Sequence, residues 1–207
     1  MNSTETTTGT KTRKRISLVA LFAIFLAPLL IATLLFYVFP EWRPVGTINH
    51  GQLVTPVRPL PPFAMETLAG DSVDETFLRG KWTLVYLLSG RCDESCAEQL
   101  YNIRQVRLAQ GKNIDRLQRL LIWEDDGVGR EDQLELQKHF PGQVIVPLSG
   151  QQELIDAFSF DEQQALLARR VYLVDPLGNL MMTYEADDEP RGMIEDLERL
   201  LKYSGLG

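Results

Sequence analysis

The sequence predicts an α/β domain, a central mixed sheet covered by helices, carried behind one N-terminal membrane-spanning helix. Three observations predict it. Residues 16–39 run for 24 positions without a charge. Beyond residue 62, apolar runs of strand length alternate with amphipathic runs of helix length, in the order β-α-β-α-β-α-β-β-α. The strand-like run at 83–88 is nearly continuous in apolar residues, the mark of a strand buried on both faces, and 117–123 reads as a second core strand.

Each element has its own reason. Residues 1–15 read as a cytoplasmic tail, small and polar over the first ten positions. The 24 uncharged residues that follow give roughly 36 Å of helix at ~1.5 Å per residue, enough to span a bilayer with some tilt. Pro28 is tolerated in such a helix. Lys11, Arg13, Lys14 and Arg15 precede the run and only Arg43 follows closely. That asymmetry puts the N-terminus in the cytoplasm and the rest of the chain outside it. Trp42 and Tyr37 suit the far interface. A cleaved signal peptide would have a shorter apolar region and a small-residue cleavage site. This run ends in Phe39-Pro40-Glu41-Trp42, so an uncleaved anchor in a bacterial inner membrane is expected, with a periplasmic domain.

Residues 40–62 hold Pro40, Pro44, Pro56, Pro59, Pro61 and Pro62, and read as an extended tether. His50 falls within it and is expected to be solvated. The domain proper is placed at 63–207. It opens with two short strands around Gly70-Asp71 and a helical turn, then the central strand at 83–88. A helix is expected over 93–110, with Leu100, Ile103, Val106 and Leu108 on its buried face and Gly111 ending it. Strand 117–123 leads to an acidic loop at 124–127. Helix 130–140 carries Leu134 and Leu136 and stops at Pro141-Gly142. Then come strand 143–148, a short helix at 151–158 and a helical or looped stretch at 163–168. A hairpin follows, 171–174 and 179–184, turned by Asp175-Pro176-Leu177-Gly178. Pro190 opens the last helix, 191–203, where Ile194, Leu197, Leu200 and Leu201 form an apolar stripe.

Charge narrows the function. Four of the 21 basic residues and one of the 28 acidic residues precede Glu41, leaving 17 against 27 from Glu41 onward. An acidic domain of this kind argues against nucleic acid as a partner. The membrane is the partner that the sequence itself assigns.

The chemistry centres on residues 82–101, WTLVYLLSGRCDESCAEQLY. Cys92 and Cys96 are the only cysteines in the chain. They stand at the mouth of a helix, one turn apart, so both sulfurs face the same way. A helix N-terminus favours thiolate over thiol. Such a pair can cycle through a disulfide, with Cys92 attacking and Cys96 resolving, or it can hold a soft metal ion. As catalytic candidates and as metal ligands, the residues are the same two. A staple closing so short a loop gains little from chain entropy, which disfavours a purely structural role. Asp93 and Glu94 put negative charge beside Cys92 and oppose a thiolate there, and Arg91 offsets them in part.

Four features together resemble the Sco/SenC group of thioredoxin-like cytochrome oxidase assembly proteins. They are the anchor before an extracytoplasmic domain, the CxxxC at 92–96, the pair LLIWEDDG (120–127) and KHFPGQVIVPLSGQQELIDAF (138–158), and the hairpin YLVDPLGNL (172–180). The resemblance covers roughly residues 63–200. It implies a thioredoxin-like fold, Cu(I) as the candidate cofactor and a copper-containing oxidase subunit as partner. It implies also that Cys92 and Cys96 act by thiol reduction or Cu(I) transfer.

Three departures qualify it. The family's copper-binding histidine falls at about Leu167, in a stretch with no histidine. Asp93 replaces the proline usual after the first cysteine. Arg169-Arg170 stands where thioredoxin-like enzymes tend to place a cis-proline. Other candidate donors are His50, His139, Met65, Met181, Met182 and Met193. His139 is expected at a helix C-terminus on the surface, and core packing suits the methionines. A general thiol–disulfide oxidoreductase and an interaction module without chemistry are the alternative functions.

Overall fold

The computed structural model describes residues 9–38, 48–124, 130–148, 150–160 and 165–205. It divides into two units, residues 1–48 and residues 49–207. The first holds helix α1, Gly9–Val38. Its stretch Ala20–Val38 is 19 residues long with a mean hydropathy of 2.6, long and apolar enough to cross a membrane.

The second unit is built on a six-stranded sheet in the order β1-β8-β7-β4-β5-β6. β4 (Trp82–Ser89), β5 (Leu117–Glu124) and β6 (Val144–Leu148) run parallel. β7 (Val171–Val174) is antiparallel to β4, and β8 (Asn179–Tyr184) is antiparallel to β7. β2 (Ala64–Glu66) and β3 (Ser72–Asp74) form a separate hairpin. The helices are α2 (Glu94–Ala109), α3 (Arg130–His139), α4 (Gln152–Ala157) and α5 (Pro190–Tyr203).

The continuous apolar runs behave as the sequence requires. Seven of the eight β4 residues are buried, because β4 lies between β5 and β7 and is covered on both faces. One face packs Leu84, Tyr86 and Leu88 with Leu100, Ile103 and Val106 of α2 and with Met193, Leu197 and Leu201 of α5. The other packs Val85 and Leu87 with Phe63, Leu154, Phe158 and Tyr172. Two cores separated by one sheet fix the height and tilt of β4, and so of whatever follows it.

The tether expectation fails over part of its length. Residues Gln52–Pro59 form β1, the edge strand paired with β8, and Val54 is buried there. Prolines are compatible with an edge strand, which need not donate along its outer side. His50 is correspondingly fixed rather than solvated in a free linker: its backbone N–H donates to Asp196 and its Nε2 meets Glu195 at 3.1 Å. Residues 40–47, the acidic loop at 125–127 and residues 163–164 lie outside the described residues. Two helix faces also differ from expectation. Leu108 and Leu134 are exposed, and in α3 the buried side chain is Gln133. The methionines do pack: Met65, Met182 and Met193 are buried, and Met181 is packed partly against the core.

Candidate functional site

The site is the turn between β4 and α2. β4 ends at Ser89, whose hydroxyl donates to Glu124 at the end of β5, 2.6 Å away. Gly90 then takes φ +73°, a left-handed conformation that glycine adopts without a Cβ penalty. The indole N–H of Trp123 donates to the Gly90 carbonyl at 2.7 Å. Trp123 is itself almost wholly buried. The turn is thus fastened to β5 at two consecutive residues.

Cys92 and Cys96 are joined by a disulfide, with their Cα atoms 5.2 Å apart. The two sulfurs are not equivalent. Cys96 is fully buried, whereas Cys92 is half-buried. Cys92 opens on a cleft of about 280 Å³, where Trp123, Leu136, Arg91, Glu135 and His139 are among the lining residues. His139 ends α3 and is exposed, as the sequence led us to expect, and from there it lines the cleft on which Cys92 opens. His50, held on α5, does not line this cleft.

Between the cysteines, Asp93 caps α2. Its carboxylate accepts from the Cys96 backbone N–H at 2.9 Å and from the Ser95 hydroxyl at 2.9 Å. It also receives both ends of a guanidinium: Arg169 Nη1 donates to Oδ1 at 2.9 Å and Nη2 to Oδ2 at 2.8 Å. Arg169 Nη1 contacts the Ser95 hydroxyl as well. The arginine beside it, together with the cap hydrogen bonds, holds the Asp93 carboxyl well below the usual carboxylate range. Asp93 in turn raises Arg169 above its ordinary value. Beneath them, burial pushes the Tyr86 phenol up to about 12, so Tyr86 stays neutral.

Arg169 is a contact of the cysteine turn that the sequence does not reveal. The structure sends the two adjacent arginines to different carboxylates: Arg169 to Asp93, and Arg170 to Glu185 at 2.8 Å. Arg91, the expected counter-charge, lines the cleft instead. The signal available in the sequence was an unpaired acid at position 93 and a basic pair at the start of the strand that neighbours β4.

The donor set decides what metal chemistry is open. Leu167, at the expected histidine position, is an exposed leucine. Among the described residues, no group of three or more His, Cys, Asp and Glu side chains is gathered to hold a metal. Among the described residues these donors do not make a three-donor copper centre. What the chain offers a soft ion is two sulfurs, once the disulfide is reduced.

The comparisons agree with this geometry. Three solved structures share the fold. The copper-bound ScoI of Arabidopsis thaliana is 18% identical with a TM-score of 0.58, over 70% of this chain and 99% of that one. The apo Sco1 protein of Thermus thermophilus is 19% identical with a TM-score of 0.57, over 76% and 99%. BsSco, described as carrying a disulfide switch and as a member of the Sco family of cytochrome c oxidase assembly proteins, is 15% identical with a TM-score of 0.56, over 74% and 99%. No curated protein matches the chain. The family model described as "Transmembrane-like, thioredoxin-like, C-terminal domain" matches residues 82–204, from the first residue of β4 to just beyond α5. A thioredoxin-like sheet, a cysteine pair at the end of its central strand and an apolar N-terminal helix accordingly make the chain a member of this transmembrane-like, thioredoxin-like family.

Proposed function

We propose that the chain is a membrane-anchored, extracytoplasmic thiol protein that assists assembly of cytochrome c oxidase, with Cys92 and Cys96 as its acting residues. The observation that carries this is the asymmetry of the pair. A half-exposed Cys92 opens on a cleft, and a buried Cys96 stands behind it at the start of α2. That is the arrangement a dithiol needs to reduce another protein's disulfide.

The step balances as follows. The Cys92 thiolate attacks one sulfur of the partner's disulfide, whose S–S bond breaks and whose other sulfur leaves as thiolate. Cys96, deprotonated, then attacks Cys92 Sγ and releases the partner's second thiolate. Two electrons pass to the partner, and the two protons of the dithiol end on the partner's thiols through solvent. Regeneration needs a thiol reductant outside the cytoplasm. The partner we infer is a copper-site subunit of the oxidase, which must present reduced cysteines to take up metal. The Sco likeness of the fold supports that choice, as do the apolar N-terminal helix and the acidic domain.

Copper delivery is the second reading, favoured by the copper-bound state of relatives with this fold. Here Cu(I) would be cargo on two sulfurs, exchangeable because among the described residues no third donor of the His, Cys, Asp and Glu kind is gathered with them.

The test is made in the source cell and on the full chain in detergent. Replacing Cys92 and Cys96 together with Ser should sharply lower assembled oxidase, read from its haem spectrum. Unchanged oxidase content would sink the assembly role. Titration of the reduced chain with Cu(I) against a chromophoric competitor separates the two readings. Binding lost in the double Ser variant supports delivery, and no binding in the native chain leaves thiol reduction.

A further inference from the structure

Asp93 poses a problem that the thiol reading makes sharper. Asp93 follows Cys92 directly in the chain, and Cys92 is the one cysteine of the pair that is not fully buried. The disulfide must be reopened by a thiol reductant, whose attacking form is a thiolate. An exposed negative charge beside the target sulfur repels it. The chain does not avoid that charge. It covers it.

We propose that Arg169 is a positioning residue that cancels the Asp93 charge, so that anionic thiol reductants can reach Cys92. Two observations carry this. The guanidinium meets Asp93 through two parallel hydrogen bonds of 2.9 and 2.8 Å, the bidentate geometry that fixes an arginine most firmly. And Arg169 is held at φ +50°, the one non-glycine residue with positive φ among the described residues. A side chain that size enters this region only when its surroundings impose it. Local strain is spent at the position that delivers the guanidinium to the cysteine turn.

The reaction concerned is attack of a thiolate on Cys92 Sγ. A new S–S bond forms, the Cys92–Cys96 bond breaks, and the electron pair leaves on Cys96, which takes a proton from water. A second thiolate then attacks the mixed disulfide. It frees Cys92 and leaves the reductant oxidised. The inference rests on the thiol reading of the site. It is tested on the reopening step alone, so failure in oxidase assembly and failure here are distinguishable.

The experiment compares two reductants on the oxidised full-length chain at low salt. One is glutathione, whose reacting form is anionic. The other is tris(hydroxypropyl)phosphine, a neutral nucleophile. Arg169→Gln should slow glutathione about fivefold and leave the phosphine rate nearly unchanged, a size expected for one partly exposed charge. Adding Asp93→Asn, which still caps α2, should return glutathione to near the native rate. Arg169→Lys should recover part of it, keeping the charge without the fork. The Arg169→Gln deficit should shrink at high salt. Equal slowing of both reductants, or a double variant as slow as Arg169→Gln, overturns the proposal and makes Arg169 a structural brace. If Arg169→Gln fails to fold, Arg169→Lys against the Asp93→Asn single variant gives the same ratio test.

Discussion

Two aspartates anchor two parts of this domain, and they do so in opposite ways. Asp196, on α5, is buried, with its side chain only 1% exposed. Its Oδ2 accepts from the backbone N–H of His50 at 2.9 Å, from that of Gly51 at 3.0 Å and from the Tyr184 hydroxyl at 3.3 Å. Asp93 is half exposed and held by both prongs of Arg169, whereas the arginine near Asp196, Arg199, stands 3.7 Å away. The buried carboxylate joins three separate pieces of chain: the start of β1, the end of β8 and α5. The exposed one joins only a helix cap to a loop. The difference is one of physical currency. Hydrogen bonds out of reach of water carry stability, because breaking them leaves groups that nothing else can satisfy. Ion pairs in reach of water carry little stability, and what remains to them is control of local charge.

The largest effect should come from the buried member. Asp196→Ala leaves the N–H groups of His50 and Gly51 and the Tyr184 hydroxyl without their acceptor. At about 1 kcal/mol or more for each orphaned group, the loss is about 3 kcal/mol. For a domain of this size that lowers Tm by roughly 6–12 °C in thermal unfolding. A shift as small as that of a surface substitution would show that the knot is not what holds β1 to α5.

Gly192 sharpens the same point at smaller scale. A Cβ there would lie 2.7 Å from Cβ and 2.8 Å from Cγ of His50. Helix propensity favours Ala over Gly by about 1 kcal/mol. The contact decides the sign, because His50 cannot swing away while its backbone is held by Asp196. Overpacking of this kind costs about 1–3 kcal/mol. Gly192→Ala should therefore destabilise slightly or be neutral, where propensity alone predicts a gain. In an Asp196→Ala background, where His50 is released, the same change should become stabilising. A gain in both backgrounds would show that the two sites do not communicate.

Much of this was legible in the sequence, and the failures are instructive. β4 was legible because a strand buried on both faces must be mostly apolar, and β5 because its run of Leu120, Leu121, Ile122 and Trp123 outweighs Gln118 and the buried Arg119. The cysteine turn was legible because Ser89-Gly90 followed by two cysteines at helical spacing leaves little choice. β1 was not, because an edge strand tolerates the prolines that also mark a linker. Six of its eight residues face water, so the core-facing Val54 gives almost no signal. The Asp93–Arg169 pair was hidden for another reason. Its partners are 76 residues apart, and nothing local to either predicts the other. The burial of Gln133 in place of Leu134 has the same source, since the partners of α3 are set by the sheet and not by the helix.

The smallest effect belongs to the exposed member, and its sign is fixed. Arg169 and the cap hydrogen bonds hold the folded-state carboxyl of Asp93 below its unfolded value. Stability rises with pH wherever the unfolded chain holds more protons than the folded one, which for a depressed acid is the interval between its folded and unfolded pKa values. Its contribution is therefore fully present above the unfolded pKa of ~3.9 and is lost as pH falls below it towards the folded value. Solvent screening keeps it small. Asp93→Asn retains an acceptor for the Cys96 N–H and removes the proton linkage. The variant should match the native chain most poorly at neutral pH and converge on it as the solution is acidified below about pH 4. Thermal unfolding at a series of pH values, with the disulfide intact, reads that convergence. A gap that stays constant to the acid limit would mean that Asp93 acts through its shape alone. The charge pairing with Arg169 would then contribute nothing to the fold, and its whole use would lie at Cys92.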